Sequence, residues 1–254
     1  MESNLLTIHF PIPDGYTSSD HYLKHLVMEQ LKRPDNFCDD EFGNFLLKAK
    51  TSIQHLELLD EKERNQLADK ILFVFAYTCV KEELSYIEKA GLADRYLMIW
   101  DYVRAVRNKG FIVGCERNLN ADNYVAYFLG ITNIEPDHAG VPVEKLSFPG
   151  GIKLSANGVR FTKEYLLGKY GTAYFPRLKS GNYNFNMFNF RYNYHIDLIE
   201  CAITFIGSKD KIDPSVLQAS DSEIEVWLEK HYHEEYQLAV ANAKANYKII
   251  NNIL

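Results

Sequence analysis

From residue 60 to residue 130 the chain alternates runs of helical spacing with single glycines, and the order of these runs leaves few folds open. An acidic first turn (Asp60, Glu61, Glu63) introduces a long amphipathic pattern with Leu67, Ile71, Leu72, Phe75 and Leu84 on its apolar face, and Gly91 breaks it. The stretch "LADRYLMIWDYVRAVRNKG" predicts a second helix, stopped by basic residues and Gly110. "FIVG", residues 111–114, is short, β-prone and bounded by glycine, so it predicts a buried strand. Residues 120–129 then predict a helix that ends at Gly130. A strand that leads through a loop into a helix is the frame on which a phosphate-gripping turn is built.

The flanking sequence adds elements of both kinds. After "FPIPDGYTS", residues Tyr22, Leu23, Leu26, Val27 and Leu31 recur at helical spacing up to Pro34. Residues 152–154 predict another short strand, and residues 161–170 a helix closed by Gly171. Between 183 and 196 aromatic residues alternate with Asn, Arg and His at the period of a strand, with a slip at Met187-Phe188 that suggests a bulge or turn. Ser220 and Glu223 form a capping box before one long helix from 222 toward 254, with Ile224, Trp227 and Leu228 on one face. The fold class is α/β (α+β) and helix-rich.

Composition narrows the function classes. The net charge of −6 argues against a chain that coats nucleic acid by charge alone. Charge is segregated, however. Residues 145–196 hold Lys145, Lys153, Arg160, Lys163, Lys169, Arg177, Lys179 and Arg191 against the single acid Glu164, a local +7 that leaves −13 for the rest. Cys38, Cys79, Cys115 and Cys201 show no C-x-x-C spacing, so neither a zinc site nor a disulfide framework is expected. The start "MESNLLTIHF" lacks a signal-peptide pattern, and "ILFVFAYTCV" is too short to cross a bilayer, so a cytoplasmic protein with no membrane partner is expected.

In the loop "VGCERNLNADN", Gly114 and Arg117 retain phosphate-binding chemistry, while Glu116 and Asp122 carry the wrong sign for a polyphosphate. Here the sequence resembles the palm domain of the bacterial replicative DNA polymerase III alpha subunit, the C family of DNA polymerases. "FPIPDGYTSSDHYL" is similar to that palm's opening. "EELSYIEKAGLADRYLMIWDYVRAVRNKGFIVG" follows its pattern of Glu-Leu, Ile, then Tyr-Leu-Ile before an Asp. "YVAYFLGITNIEP" matches the helix and exit after its phosphate loop. The resemblance covers about two thirds of the chain and implies a nucleotidyltransferase-like fold with a small mixed sheet flanked by helices. It makes residues 1–180 a palm-like domain standing alone and residues 181–254 a divergent extension packed on it.

The resemblance also locates what is changed. The family's loop, Gly-Pro-Gly-Arg-Gly-Ser, stands here as Gly114-Cys115-Glu116-Arg117-Asn118-Leu119, with the arginine kept. The family's Ser-Met-Pro-Asp-Phe-Asp-x-Asp-Phe, whose aspartates hold two Mg²⁺ ions, stands here as "SFPGGIKLS", residues 147–155, a stretch with glycine, isoleucine and lysine but no carboxylate. A lysine at a two-metal site repels the cations such a site must hold. No catalytic residue, metal or cofactor is therefore expected.

Three readings of function remain open. In the first, the module has lost catalysis and binds DNA, single-stranded or primed, or a replication or repair partner. Its remnant phosphate site is Gly114 and Arg117, and its DNA surface is Lys153, Arg160, Lys163, Arg177, Lys179 and Arg191. In the second, Mg²⁺-dependent nucleotidyl transfer persists through the substitute acids Glu116, Asp122 and Asp197, with Glu200 close in sequence. In the third, the chain is an interaction module that binds no nucleic acid. "NYNFNMFNFRYNYH" either stacks bases or buries one face of a strand, and "EKHYHEEY" is expected to be a solvated helix face, His231 and Glu235 sharing it.

Overall fold

The computed structural model describes residues 9–32, 60–114, 123–132, 136, 151–175, 177–178, 180–212 and 221–253. These form two compact units. One comprises residues 8–100 and 117–149, the other residues 1–7, 101–116 and 150–254.

The first unit is helical among its described residues. Helix α1 (Ser19–Leu31) starts on Ser18, whose hydroxyl accepts from the His21 N–H. Helix α2 (Glu61–Lys89) starts on Asp60 with a reciprocal capping box to Glu63. Helix α3 (Ala93–Asn108) follows the Gly91 turn, and the boundary between the units falls inside it, after Trp100. Helix α4 (Tyr124–Phe128) is shorter than the 120–129 expectation, since Asn123 caps it by accepting from the Ala126 N–H at 2.9 Å. The buried stripe of α2 is Ala76, Val80, Glu83 and Ile87, one position away from the expected face, on which Phe75 and Leu84 are only half-buried.

Two carboxyl side chains, Asp94 half-buried and Glu83 buried, tie this unit together. Asp94 accepts from the Phe10 N–H at 2.8 Å and from the Ser19 hydroxyl, which fixes the opening "FPIPDGYTSS" to the first turn of α3. Glu83, only 6% exposed, accepts from the N–H groups of Tyr124 (3.0 Å) and Val125 (2.8 Å), the first two residues of α4. Asn123 donates in turn to the Tyr96 hydroxyl. A carboxylate is thus the acceptor for helix donors that have no partner within their own helix.

The second unit is built on a three-stranded sheet of β1 (Val113–Gly114), β2 (Ile152–Leu154) and β3 (Phe190–Tyr192), in that order. β1 runs antiparallel to β2, and β3 runs parallel to it. Helix α5 (Ala156–Tyr170) begins five residues before its expected start because Ser155 caps it, accepting from the Gly158 N–H at 3.0 Å. The aromatic stretch is not one strand to Ile196. A 3-10 turn at Asn186–Phe188 and a left-handed Asn189 (φ 55°) precede β3, and Asn193 then caps helix α6 (Tyr194–Ile206). The C-terminal helix is two, α7 (Asp221–His231) and α8 (His233–Ile253), broken at Tyr232. His231 and Glu235 therefore sit on different helices, and His231 stacks on Trp227. Ser220 of the expected capping box lies outside the described residues.

Leu198, Ile199, Ala202 and Ile206 of α6 pack with Ile224, Leu228, Ala239 and Ala243 to form the helical core of this unit. Phe175, Phe185, Phe188 and Phe190 form an aromatic core with Tyr102, whose hydroxyl donates to the Phe188 carbonyl at 2.8 Å. Asp101 accepts from the hydroxyls of Tyr165 (2.9 Å) and Tyr170 (3.0 Å) and from Lys169 (2.6 Å), pinning α5 to the part of α3 in this unit.

Burial raises the Glu83 carboxyl from 4.5 to about 7, outweighing the two N–H bonds that favour its charged form. A raised folded value means that the neutral form contributes its full stability below pH 4.5, and that this contribution is lost as pH rises through 7. The melting temperature is expected to fall between about pH 5 and about pH 8, by the equivalent of roughly 3 kcal/mol. Glu83→Gln is expected to melt lower at acid pH, because its amide N–H meets a helix N–H, but to lose most of this slope; circular dichroism melts across pH check both.

Candidate phosphate and nucleic-acid interface

Alternation along β2 decides what the sheet can present. Ile152 and Leu154 are fully buried, so Lys153 between them points to the other face, where it is half-buried. The register places Gly114 of β1 and Arg191 of β3 on either side of Lys153. Arg191 is exposed. The two cations are in-register neighbours on adjacent parallel strands, whose backbones run about 4.8 Å apart.

Gly114 has a packing reason to be glycine. A Cβ built there meets the Ile196 Cδ1 at 2.7 Å and the Lys153 Cβ at 3.5 Å. Ile196, in the first turn of α6, occupies the space that a bare backbone would leave for an anion. Arg117, Glu116, Asp122, Lys145 and Lys179 lie outside the described residues.

The remaining basic side chains are spread around the same unit. Arg160 bonds to Asn157 Oδ1 at 3.0 Å on the exposed side of α5. Lys163 lies over the Phe185 ring, 5.7 Å from its centre, and burial lowers its pKa. Arg177 stacks on Tyr183 at 4.8 Å and bonds to its hydroxyl at 3.0 Å, closing an exposed turn around Gly181. Among these, Lys153 and Arg191 are the pair that the sheet brings together. Of the aromatic stretch, Phe185 and Phe188 are core, and Tyr192 is held by its hydroxyl, 3.2 Å from Asp197 Oδ2 and 3.4 Å from the Ala243 carbonyl.

The acids near the sheet serve structure. Asp197 is 1% exposed, and both its oxygens are engaged: Oδ1 accepts from the Ala156 N–H (3.0 Å), and Oδ2 accepts from Asn246 Nδ2 (3.1 Å) as well as facing Tyr192. Glu200, one turn on, accepts from the Ile112 N–H at 2.7 Å. Burial raises its pKa, bonds from Ser155 and Ile112 oppose the rise, and the charge of Asp197 adds to it. Among the described residues no group of three or more His, Cys, Asp or Glu could hold a metal ion. A two-Mg²⁺ site fits poorly around β2, whose side chains are Ile152, Lys153 and Leu154, while Asp197 is already engaged by Ala156, Asn246 and Tyr192.

Sequence reasoning did not find Glu83, Asp94 and Asp101. Glu83 carried a usable signal, because its spacing from Ala76, Val80 and Ile87 sets an acid on an apolar stripe.

Comparison with known proteins places these elements in a family context. Residues 54–155 match the family described as the bacterial DNA polymerase III alpha NTPase domain. The DNA polymerase III subunit alpha of Thermus aquaticus is 29% identical over 170 residues, 57% of this chain and 13% of that protein. That of Bacillus subtilis is 25% identical over 176 residues, 66% of this chain and 13% of the relative. That of Halalkalibacterium halodurans is 37% identical over 73 residues, 29% of this chain and 6% of the relative. The chain carries a DNA polymerase III alpha-like domain and spans about an eighth of the length of the longer-matching relatives. No helix among the described residues is long and apolar enough to cross a membrane.

Gly114→Ala is expected to destabilise the fold by about 1–3 kcal/mol through overpacking against Ile196. Ile196→Val removes the Cδ1 in the way, so the double variant should regain much of that loss despite the cost of the valine alone. A double-mutant cycle by urea denaturation measures the coupling.

Proposed function

We infer that this chain is a polymerase-like module of DNA replication or repair that acts by binding DNA or a replication partner, not by nucleotidyl transfer. Residues 1–180 are read as its palm-like part and residues 181–254 as an extension that contributes β3. The observation that carries the reading is the side-chain set of β2. Any Asp-x-Asp pattern on a strand sets both carboxylates on one face; here the matching positions are Ile152 and Leu154, both fully buried apolar side chains, and the one charged side chain of the strand is Lys153 between them.

A cation there is compatible with a phosphate backbone and incompatible with a metal pair. The basic residues Arg160, Lys163, Arg177, Lys179 and Arg191 widen the same chemistry, while the acids elsewhere keep the whole chain from binding by net charge. In the sequence Gly114 and Arg117 are read as the remnant of a phosphate loop. DNA is the expected partner because the relatives matched are named as DNA polymerase subunits.

Titration of labelled primed and single-stranded DNA by fluorescence anisotropy at two salt concentrations tests the reading. If about three phosphates are neutralised, affinity should drop roughly 40-fold between about 50 and 200 mM salt. An absence of binding at the lower salt would favour the interaction-module alternative. Primer extension with Mg²⁺ or Mn²⁺ that is abolished by Glu116→Ala, Asp122→Ala or Asp197→Ala would overturn the loss of catalysis.

A further inference from the structure

We propose that the protein pairs with a second copy of itself through the outward face of α8, the two helices lying antiparallel about a two-fold axis at Ala241. This contact does not depend on DNA binding.

Helix α8 carries two rows of residues on opposite sides. The inward row holds it to its own unit: Ala239, Ala243 and Ile250 are buried, Tyr236 packs on the helical core, and Asn246 donates to Asp197. The outward row is Glu234, Leu238, Ala241, Ala245 and Lys248, which follow one another at intervals of four, three, four and three residues and are all exposed. Such a seven-residue repeat is the seam along which one helix packs on another. Its apolar members are Leu238 and two alanines, with Ile249 beside them, and Leu238 and Ile249 are each 54% exposed.

Charge decides what covers this face. Glu234 stands seven residues before Ala241 and Lys248 seven after it, so each lies roughly 10 Å along the axis from the centre. A two-fold rotation at Ala241 sets Glu234 of each copy opposite Lys248 of the other, at both ends of the contact. It also sets Leu238 opposite Lys244 and Ala245 of the second copy, so that a large side chain meets an alanine and an aliphatic stem. A parallel pairing would instead oppose like charges at both ends. The alanine at the crossing lets the helix axes approach closely, and antiparallel packing opposes their dipoles. Among the described residues neither Glu234 nor Lys248 forms an ion pair within the chain. A patch that is complementary to itself closes on a dimer.

Sedimentation velocity of the full chain from about 1 to about 200 µM tests the contact, and a concentration-dependent monomer–dimer equilibrium is expected. Ala241→Glu, which opposes two acids at the axis, should weaken the dimer more than about 30-fold. Glu234→Lys and Lys248→Glu should each weaken it roughly 5-fold, because each change acts at both ends. An equimolar mixture of those two variants, and the chain carrying both changes, should recover the dimer. Val226→Asp, at a 66% exposed position on α7, should leave it unchanged. Circular dichroism melts verify folding, and recovery in the charge-swapped chain decides the matter should Ala241→Glu fail to fold. A monomer at every concentration overturns the proposal, as does a dimer that survives Ala241→Glu, that Val226→Asp breaks, or that the charge swap does not restore. A monomeric chain whose affinity for single-stranded DNA falls in Lys248→Glu assigns this face to a strand backbone and overturns self-pairing.

Discussion

The burial of Ile152 and Leu154 in the core is the constraint on which the site depends. A strand has two faces and a period of two, so once these residues are committed, Lys153 has no choice of side. Everything around β2 follows from that. Gly114 must lack a side chain to let Ile196 in, α5 must approach closely enough that a Cβ on Gly158 would sit 3.3 Å from Leu154, and Arg191 must share a row with Lys153. The electrostatic character of the sheet face is thus a by-product of hydrophobic packing on its reverse.

The residues that carry the resemblance to DNA polymerase III alpha turn out to be the structural ones. Glu83 caps α4, Tyr96 receives a bond from Asn123 at that same cap, and Asp101 gathers Tyr165, Lys169 and Tyr170. Each buries polar groups that would be costly if left alone and satisfies them with a specific partner. Removal of one member strands the others, so such networks persist when the chemistry of a nearby surface changes. This accounts for a family signal that runs through helices and caps while the carboxylate motif reads Gly-Gly-Ile-Lys-Leu.

Much of the fold was legible. Helical spacing found α1, α2, α3 and α5, and "FIVG" and "IKL" marked β1 and β2, although β1 is two residues long and half-buried, not buried; of the start of α2 the sequence showed the acidic turn, not the capping box on Asp60. The failures have physical causes. The start of α6 looked like strand because aromatic alternation continues through Tyr194, and only the cap on Asn193 separates the two. The break between α7 and α8 carries neither glycine nor proline; Tyr232 is held by its hydroxyl on the Lys211 carbonyl at 3.1 Å, a partner distant in sequence. Of the candidate site, the basic residues were legible as a list but not as a pair, because register between strands 38 residues apart follows from tertiary structure alone.

The row Gly114, Lys153, Arg191 also bears on how such a surface changes over time. The middle position contributes little to the core while its neighbours along the strand contribute much, so its charge can be exchanged with modest effect on folding. A sheet of this kind offers selection an address at which the sign of a surface charge is a single-codon variable, while the packing behind it stays the same.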